Sequence, residues 1–157
     1  MSKPRKRDYV NDKLLLGTWY LTSLEVRPEA GGEATYWLGP DARGKLVYGE
    51  DGSLLVFLTA RDRAPTTWRG FEPGIAEADA AKAYSSSMSY CGTYELRGTT
   101  MTHHIEFCSV PAWGDQVREV SFEGSNLVLS ARGPVAGVPQ VARLVWHRKD
   151  ATAAPTN

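Results

Sequence analysis

The sequence predicts an all-β chain folded as one domain, either a sandwich or a barrel. Short runs rich in β-branched and aromatic residues alternate with Gly, Pro, Asp and Asn, the pattern of strands separated by turns. Several of those breaks hold a glycine where a tight hairpin needs positive φ. With 157 residues the chain can bury about two-thirds of its unfolded surface in a single core, with no need for a metal or a disulfide framework.

Residues 1–12 and 149–157 are charged or rich in Ala, Pro and Thr and lack a periodic apolar pattern, so both are expected to be flexible ends around a folded domain at 13–148. The first run, Leu14 to Val26, puts Trp19 and Leu21 on one face and Thr18, Tyr20 and Thr22 on the other. Pro28 to Gly32 and Gly39-Pro40-Asp41 interrupt it. Gly44 to Tyr48 and Ser53 to Thr59 form a hairpin through Glu50-Asp51-Gly52. A second hairpin joins Tyr90 to Leu96 with Met101 to Cys108 through Arg97-Gly98, and a third joins Gln116 to Phe122 with Leu127 to Ala131 through Gly124-Ser125-Asn126. Val141 to Arg148 is the last strand. Between the strands, the alanine-dense stretch Ile75 to Tyr84, introduced by Pro73-Gly74, predicts one short helix near residues 75–87. The preceding Thr59 to Phe71 reads as a flap over an opening.

Charge and cysteines narrow the function classes. The 18 basic and 18 acidic residues cancel, so no long-range field draws the body of the protein to nucleic acid or to anionic membranes. Lys3-Pro4-Arg5-Lys6-Arg7 is a local exception that reads as a solvated terminus. No stretch approaches the ~20 apolar residues of a membrane span, and no apolar signal core follows the basic start, which points to a cytoplasmic protein. Cys91 and Cys108 lack zinc-ligand spacing; the Arg97-Gly98 turn places Cys91 opposite a residue near His104 and not opposite Cys108, so both are expected as free thiols. There is no phosphate-cradling loop, no nucleophile elbow and no dinucleotide fingerprint.

Gly17-Thr18-Trp19 at the start of the first strand resembles the Gly-x-Trp motif of lipocalins and their calycin relatives. Gly44-Lys45-Leu46-Val47-Tyr48 with Asp51-Gly52, Tyr90-Cys91-Gly92-Thr93-Tyr94, and His103-His104-Ile105-Glu106 leading to Pro111, Trp113, Gly114, Gln116 and Arg118 are similar to the small bacterial and fungal lipocalin-like domain family. The resemblance spans most of residues 14–148; Phe107 departs from it, standing where the family would have a small residue. It implies a single antiparallel lipocalin-like β-barrel of about 8–10 strands with one short inserted helix. It also implies that Trp19 packs under Arg148 to close one barrel end, with Gly17, Trp19 and Arg148 structural. Members of the family in natural-product pathways are suspected binding proteins or cyclases, which implies a small hydrophobic, aromatic or polyketide-like ligand.

Candidate chemistry centres on the strand Met101 to Cys108. Alternation sends His103 to one face with Met101, Ile105 and Phe107, and His104 to the other with Thr102, Glu106 and Cys108. If the apolar set faces inward, His103 is a lone polar group able to hold or protonate a carbonyl or hydroxyl; if the other set does, His104 and Glu106 form an acid/base pair. Because the two histidines point apart and His147 is distant, no metal site is expected. Arg118 is a candidate to grip a carboxylate, enolate or phenolate, or else to pair with Glu106 or Glu95. Tyr48, Phe57, Tyr90 and Tyr94 on strands, with Trp68 and Trp113 in connections, are the candidate ligand-binding aromatics, and Trp37 shares the setting of the latter two. Trp146 reads as core packing. Two functions follow: a cofactor-free isomerase, cyclase or lyase of secondary metabolism that uses His103, His104, Glu106 and Arg118, or a non-catalytic protein that holds the same small hydrophobic molecule. Either is compatible with a monomer or a homodimer.

Overall fold

Period-two alternation forces each strand to bury one face, and in the computed structural model, which describes residues 10–66 and 74–149, eight strands meet that demand by closing on themselves. They are β1 (Gly17–Pro28), β2 (Arg43–Tyr48), β3 (Ser53–Thr59), β4 (Ser87–Arg97), β5 (Thr100–Cys108), β6 (Gln116–Glu123), β7 (Asn126–Val135) and β8 (Val138–Arg148), with helix α1 (Glu77–Ser85) between β3 and β4. Each strand pairs antiparallel with the next, and β8 returns to β1. The all-β antiparallel barrel with one short helix is therefore observed, with a strand count at the lower end of expectation. Closure leaves no edge strand.

The hairpins follow their turn chemistry. Gly52, at φ +82°, turns β2 into β3, and Gly98, at φ +64°, turns β4 into β5. The β7 to β8 hairpin is longer than the sequence suggests: β7 continues past Ala131 and β8 starts at Val138, so that Pro134 and Pro139 face each other. At the other end β1 begins only at Gly17, because Asp12–Leu14 forms a single 3-10 turn. Asn11 accepts the Lys13 amide to start that turn.

Two bulges reset the alternation. Between Leu21 and Ser23 the register on β8 shifts by one residue, so Thr22 is extra and Leu24 takes the buried side with Val26. On β5, Cys91 pairs with Phe107 but Gly92 pairs with Ile105, which makes Glu106 the extra residue. Only a glycine fits at 92: a Cβ there would collide with the His104 carbonyl oxygen. The bulge turns Phe107 outward, 71% exposed, and Cys108 inward. Cys91 accordingly lies opposite Phe107 rather than a residue near His104, and both cysteines are free thiols.

One end of the barrel is sealed. The Arg148 guanidinium lies 4.1 Å from the Trp19 ring centroid and donates to the carbonyls of Leu16 at 2.8 Å and Leu14 at 2.6 Å. The Trp19 indole donates to the Leu15 carbonyl at 2.7 Å, and Leu15 is fully buried beneath it. Gly17 holds φ +108°, and a Cβ there would come within 2.9 Å of the guanidinium, which explains the glycine two places before the tryptophan. At the opposite end lie the connections β1 to β2 and β5 to β6 and the segment between β3 and β4. In the last of these Arg63 donates to Ser86 Oγ at 2.9 Å and to the Ala83 carbonyl at 3.0 Å, fastening residues 60–66 to the end of α1. The remainder of the expected flap, including Trp68, lies outside the described residues, as do residues 1–9 and 150–157 of the ends expected at 1–12 and 149–157.

Candidate functional site

The unsealed half of the barrel encloses a cavity of about 310 Å³. Its wall is aliphatic, with Leu24, Leu46, Val56, Leu58, Leu129 and Leu144 prominent, and its polar groups are few: His103, Tyr90, Arg118 and the indole of Trp146. Trp37 and Trp113 border it from the connections at the open end. An apolar chamber with a few polar groups is the usual form of a small-molecule site.

Alternation from Met101 carries His103 inward, and β5 sets it opposite Tyr94 of β4 and Gln116 of β6. The ring is 1% exposed, yet both nitrogens are occupied: Nε2 meets the Tyr48 hydroxyl at 2.7 Å and Nδ1 meets the Tyr90 hydroxyl at 2.9 Å. Burial, reinforced by the positive charge of Arg118 and by His104, pushes the His103 pKa down to about 3. Burial raises both phenols, Tyr90 to about 12 and Tyr48 well above its ordinary value, with Arg118 opposing the rise in each case. All three groups are thus neutral at pH 7.

A neutral imidazole has one donor and one acceptor, and its neighbours choose the tautomer. Among the described residues the Tyr48 hydroxyl has no hydrogen-bond partner other than His103 Nε2. Were Nε2 to carry the proton, the Tyr48 hydrogen would be buried without an acceptor, at a cost of about 1–3 kcal/mol. Tyr48 therefore donates to Nε2, and Nδ1–H donates to the Tyr90 oxygen. The Tyr90 hydrogen is left free to point into the cavity. Arg118, whose guanidinium also acts on the Tyr90 hydroxyl, donates to Gln116 Oε1 and the Val117 carbonyl, at 3.1–3.4 Å, and has no carboxylate partner among the described residues. Its expected alternatives are engaged elsewhere or exposed: Glu95 pairs with Arg97, and Glu106 faces solvent.

Other expected site residues are not brought together with His103. His104 points outward and binds Asp115 at 2.7 Å, with Glu95 at 3.9 Å; Glu106 is the exposed bulge residue, so the two do not form an acid/base pair at the cavity. Phe57 lies on the outer face near Phe107, because β3 buries Leu54, Val56 and Leu58 instead. Tyr48 and Tyr94 do not border the cavity; they pack in the core toward the sealed end, their rings in edge contact at 4.6 Å, and the Tyr94 hydroxyl donates to the Gly49 carbonyl at 2.9 Å. Trp113 borders the cavity and packs edge-on against Tyr90 at 5.6 Å. Trp146 belongs to the buried core, as its sequence setting suggests, and also borders the cavity. Among the described residues no group of three His, Cys, Asp or Glu side chains is arranged to hold a metal ion.

An eight-stranded antiparallel barrel, sealed at one end by stacked tryptophan and arginine and hollow at the other, defines a calycin-type architecture suited to a small hydrophobic ligand. The chain belongs to the lipocalin-like domain family, whose pattern it matches over residues 16–149. A comparison with curated proteins gives no match.

Proposed function

We propose that this protein binds one small, largely apolar, aromatic or polyketide-like molecule by an acceptor oxygen, held between the Tyr90 hydroxyl and the Arg118 guanidinium. The observation that carries this reading is the Tyr48–His103–Tyr90 chain, which engages both nitrogens of His103 internally and leaves the Tyr90 O–H, beside the Arg118 guanidinium, to face an aliphatic chamber. A carbonyl, enolate, phenolate or carboxylate satisfies those donors; an ammonium group does not. His103 acts here as a positioning residue, since its two nitrogens are both engaged.

A second reading adds catalysis without a cofactor. Donors that converge on one oxygen in a water-poor cavity stabilise negative charge that develops there, which would favour isomerisation, cyclisation or elimination next to a carbonyl while the cavity shape fixes the reactive conformation. Against general acid/base chemistry by the cavity groups stands the removal of His103 and both phenols from the neutral range. Simple binding is thus the reading that the site favours.

Titration calorimetry with two probes of one shape tests it. Saturable one-to-one binding of 2-naphthoate, with none of the 2-naphthylmethylammonium cation, is expected; equal binding of both would sink the donor-only site. Native mass spectrometry of the purified protein for a retained molecule, followed by assay of that molecule for conversion, separates the two readings. Conversion that is lost in Tyr90→Phe would establish the catalytic one.

A further inference from the structure

A second, unpaired polar group lies across the barrel from Tyr90. Trp146 is 1% exposed and borders the cavity, yet its indole Nε1 is buried without a hydrogen-bond partner among the described residues. Buried donors are normally paired, and an unpaired one costs about 1–3 kcal/mol. Trp19, the other fully buried tryptophan among the described residues, spends its N–H on the Leu15 carbonyl. The contrast marks the Trp146 N–H as a buried donor that the described residues leave unpaired.

Its placement says what that partner looks like. In the ring of eight strands β8 stands four strands from β4, on the wall opposite Tyr90, and two strands from Arg118 on β6. Trp146 pairs with Leu21 and Leu127, two residues from the Arg148 seal, whereas Tyr90 pairs with Cys108 at the open end of β5. Between the two donor sets the lining is aliphatic. We infer that Trp146 is a ligand-binding residue at the inner end of the cavity, and that the ligand is an elongated apolar molecule with acceptor oxygens at both ends, one for Tyr90 and Arg118 and one for the Trp146 N–H. This rests on the binding reading proposed above and adds a second anchor to it.

Two probes differing by one acceptor separate the claims: 2-naphthoate, with oxygen at one end, and 6-acetyl-2-naphthoate, with oxygen at both. Calorimetry is expected to give about three- to tenfold tighter binding of the acetyl probe to the wild type, the advantage of one neutral hydrogen bond. Trp146→Phe, which removes the N–H and keeps an aromatic ring, should abolish the advantage of the acetyl probe over 2-naphthoate, read as the ratio of the two affinities in the same variant. Independently of whether that variant folds, the assigned Trp146 indole ¹H–¹⁵N resonance of the wild type should move downfield in ¹H with the acetyl probe and not with 2-naphthoate. If 2-naphthoate binds but the acetyl group brings neither gain in affinity nor the indole shift, the Trp146 anchor is overturned and the first anchor stands. If neither probe binds, the binding reading falls and this inference falls with it.

Discussion

The Tyr48 hydroxyl donates to His103 Nε2 across 2.7 Å, and this one bond decides which hydrogen faces the cavity, because it sets the tautomer that frees Tyr90. Tyr48→Phe should therefore act at two levels. It leaves a buried ring nitrogen without its donor and should lower unfolding free energy by about 1–3 kcal/mol, read from urea denaturation. It should also release the tautomer preference, visible in the ¹⁵N spectrum of the His103 ring. A wild-type spectrum with the proton on Nε2 would refute the assignment.

The same ring makes stability depend on pH with a definite sign. A folded-state pKa of about 3 against an ordinary 6.5 means that the unfolded chain binds the additional proton between those values. The contribution of neutral His103 is complete above about pH 6.5 and is lost as the pH falls toward 3, by up to about 5 kcal/mol if the whole shift is realised. The urea midpoint should drop through that window in the wild type. His103→Gln, which keeps a donor and an acceptor but cannot titrate, should show a shallower slope once the shared carboxylate contribution is subtracted. Equal slopes would mean that His103 is not buried as a neutral ring.

At the sealed end Arg148 combines a stacked face with a two-pronged bond to the carbonyls of Leu14 and Leu16. Lysine keeps the charge but cannot reproduce that fork. Arg148→Lys is expected to cost about 1–2 kcal/mol in thermal or chemical unfolding. Gly17→Ala should destabilise the same corner by about 1 kcal/mol or more, through its positive φ and its approach to the guanidinium. Neither change should alter 2-naphthoate affinity, because the seal lies below the cavity; a parallel loss of affinity would show that the two ends are coupled.

The sequence makes the scaffold legible wherever turn chemistry is explicit. Gly52, Gly98 and Gly124 announce three hairpins, and Gly17, Trp19 and Arg148 announce the seal. Bulges leave no such mark. Without the extra Glu106, alternation puts Phe107 inside with His103, and its apolar character makes that reading attractive. Gly133, Pro134 and Pro139 hide the outer half of the β7 to β8 hairpin, since these residues are poor strand formers. His103 and His104 were equally eligible for the interior because each shares its face with buriable neighbours. What separates them is packing: Met101 and Leu54 are among the most buried residues, while Asp115 waits outside for His104. Tyr48 was legible as an aromatic near the ligand, but its service to His103 depends on contact between β2 and β5, 55 residues apart in sequence.

That division between the faces of β5 can be read directly in binding. Arg118 borders the cavity without a carboxylate partner among the described residues, so an anionic probe is the charge that would complement it. Arg118→Gln keeps a donor and removes the charge, and it should weaken 2-naphthoate binding by about tenfold or more. His104→Ala breaks the exposed contact with Asp115, and Glu106→Ala trims a side chain in solvent; both should leave the affinity within about twofold, since screened surface pairs contribute little. The decisive comparison is the ratio of affinities across the three variants at one ionic strength. If His104→Ala weakens binding as strongly as Arg118→Gln does, the ligand is held on the outer face of β5 and the chamber is not its site.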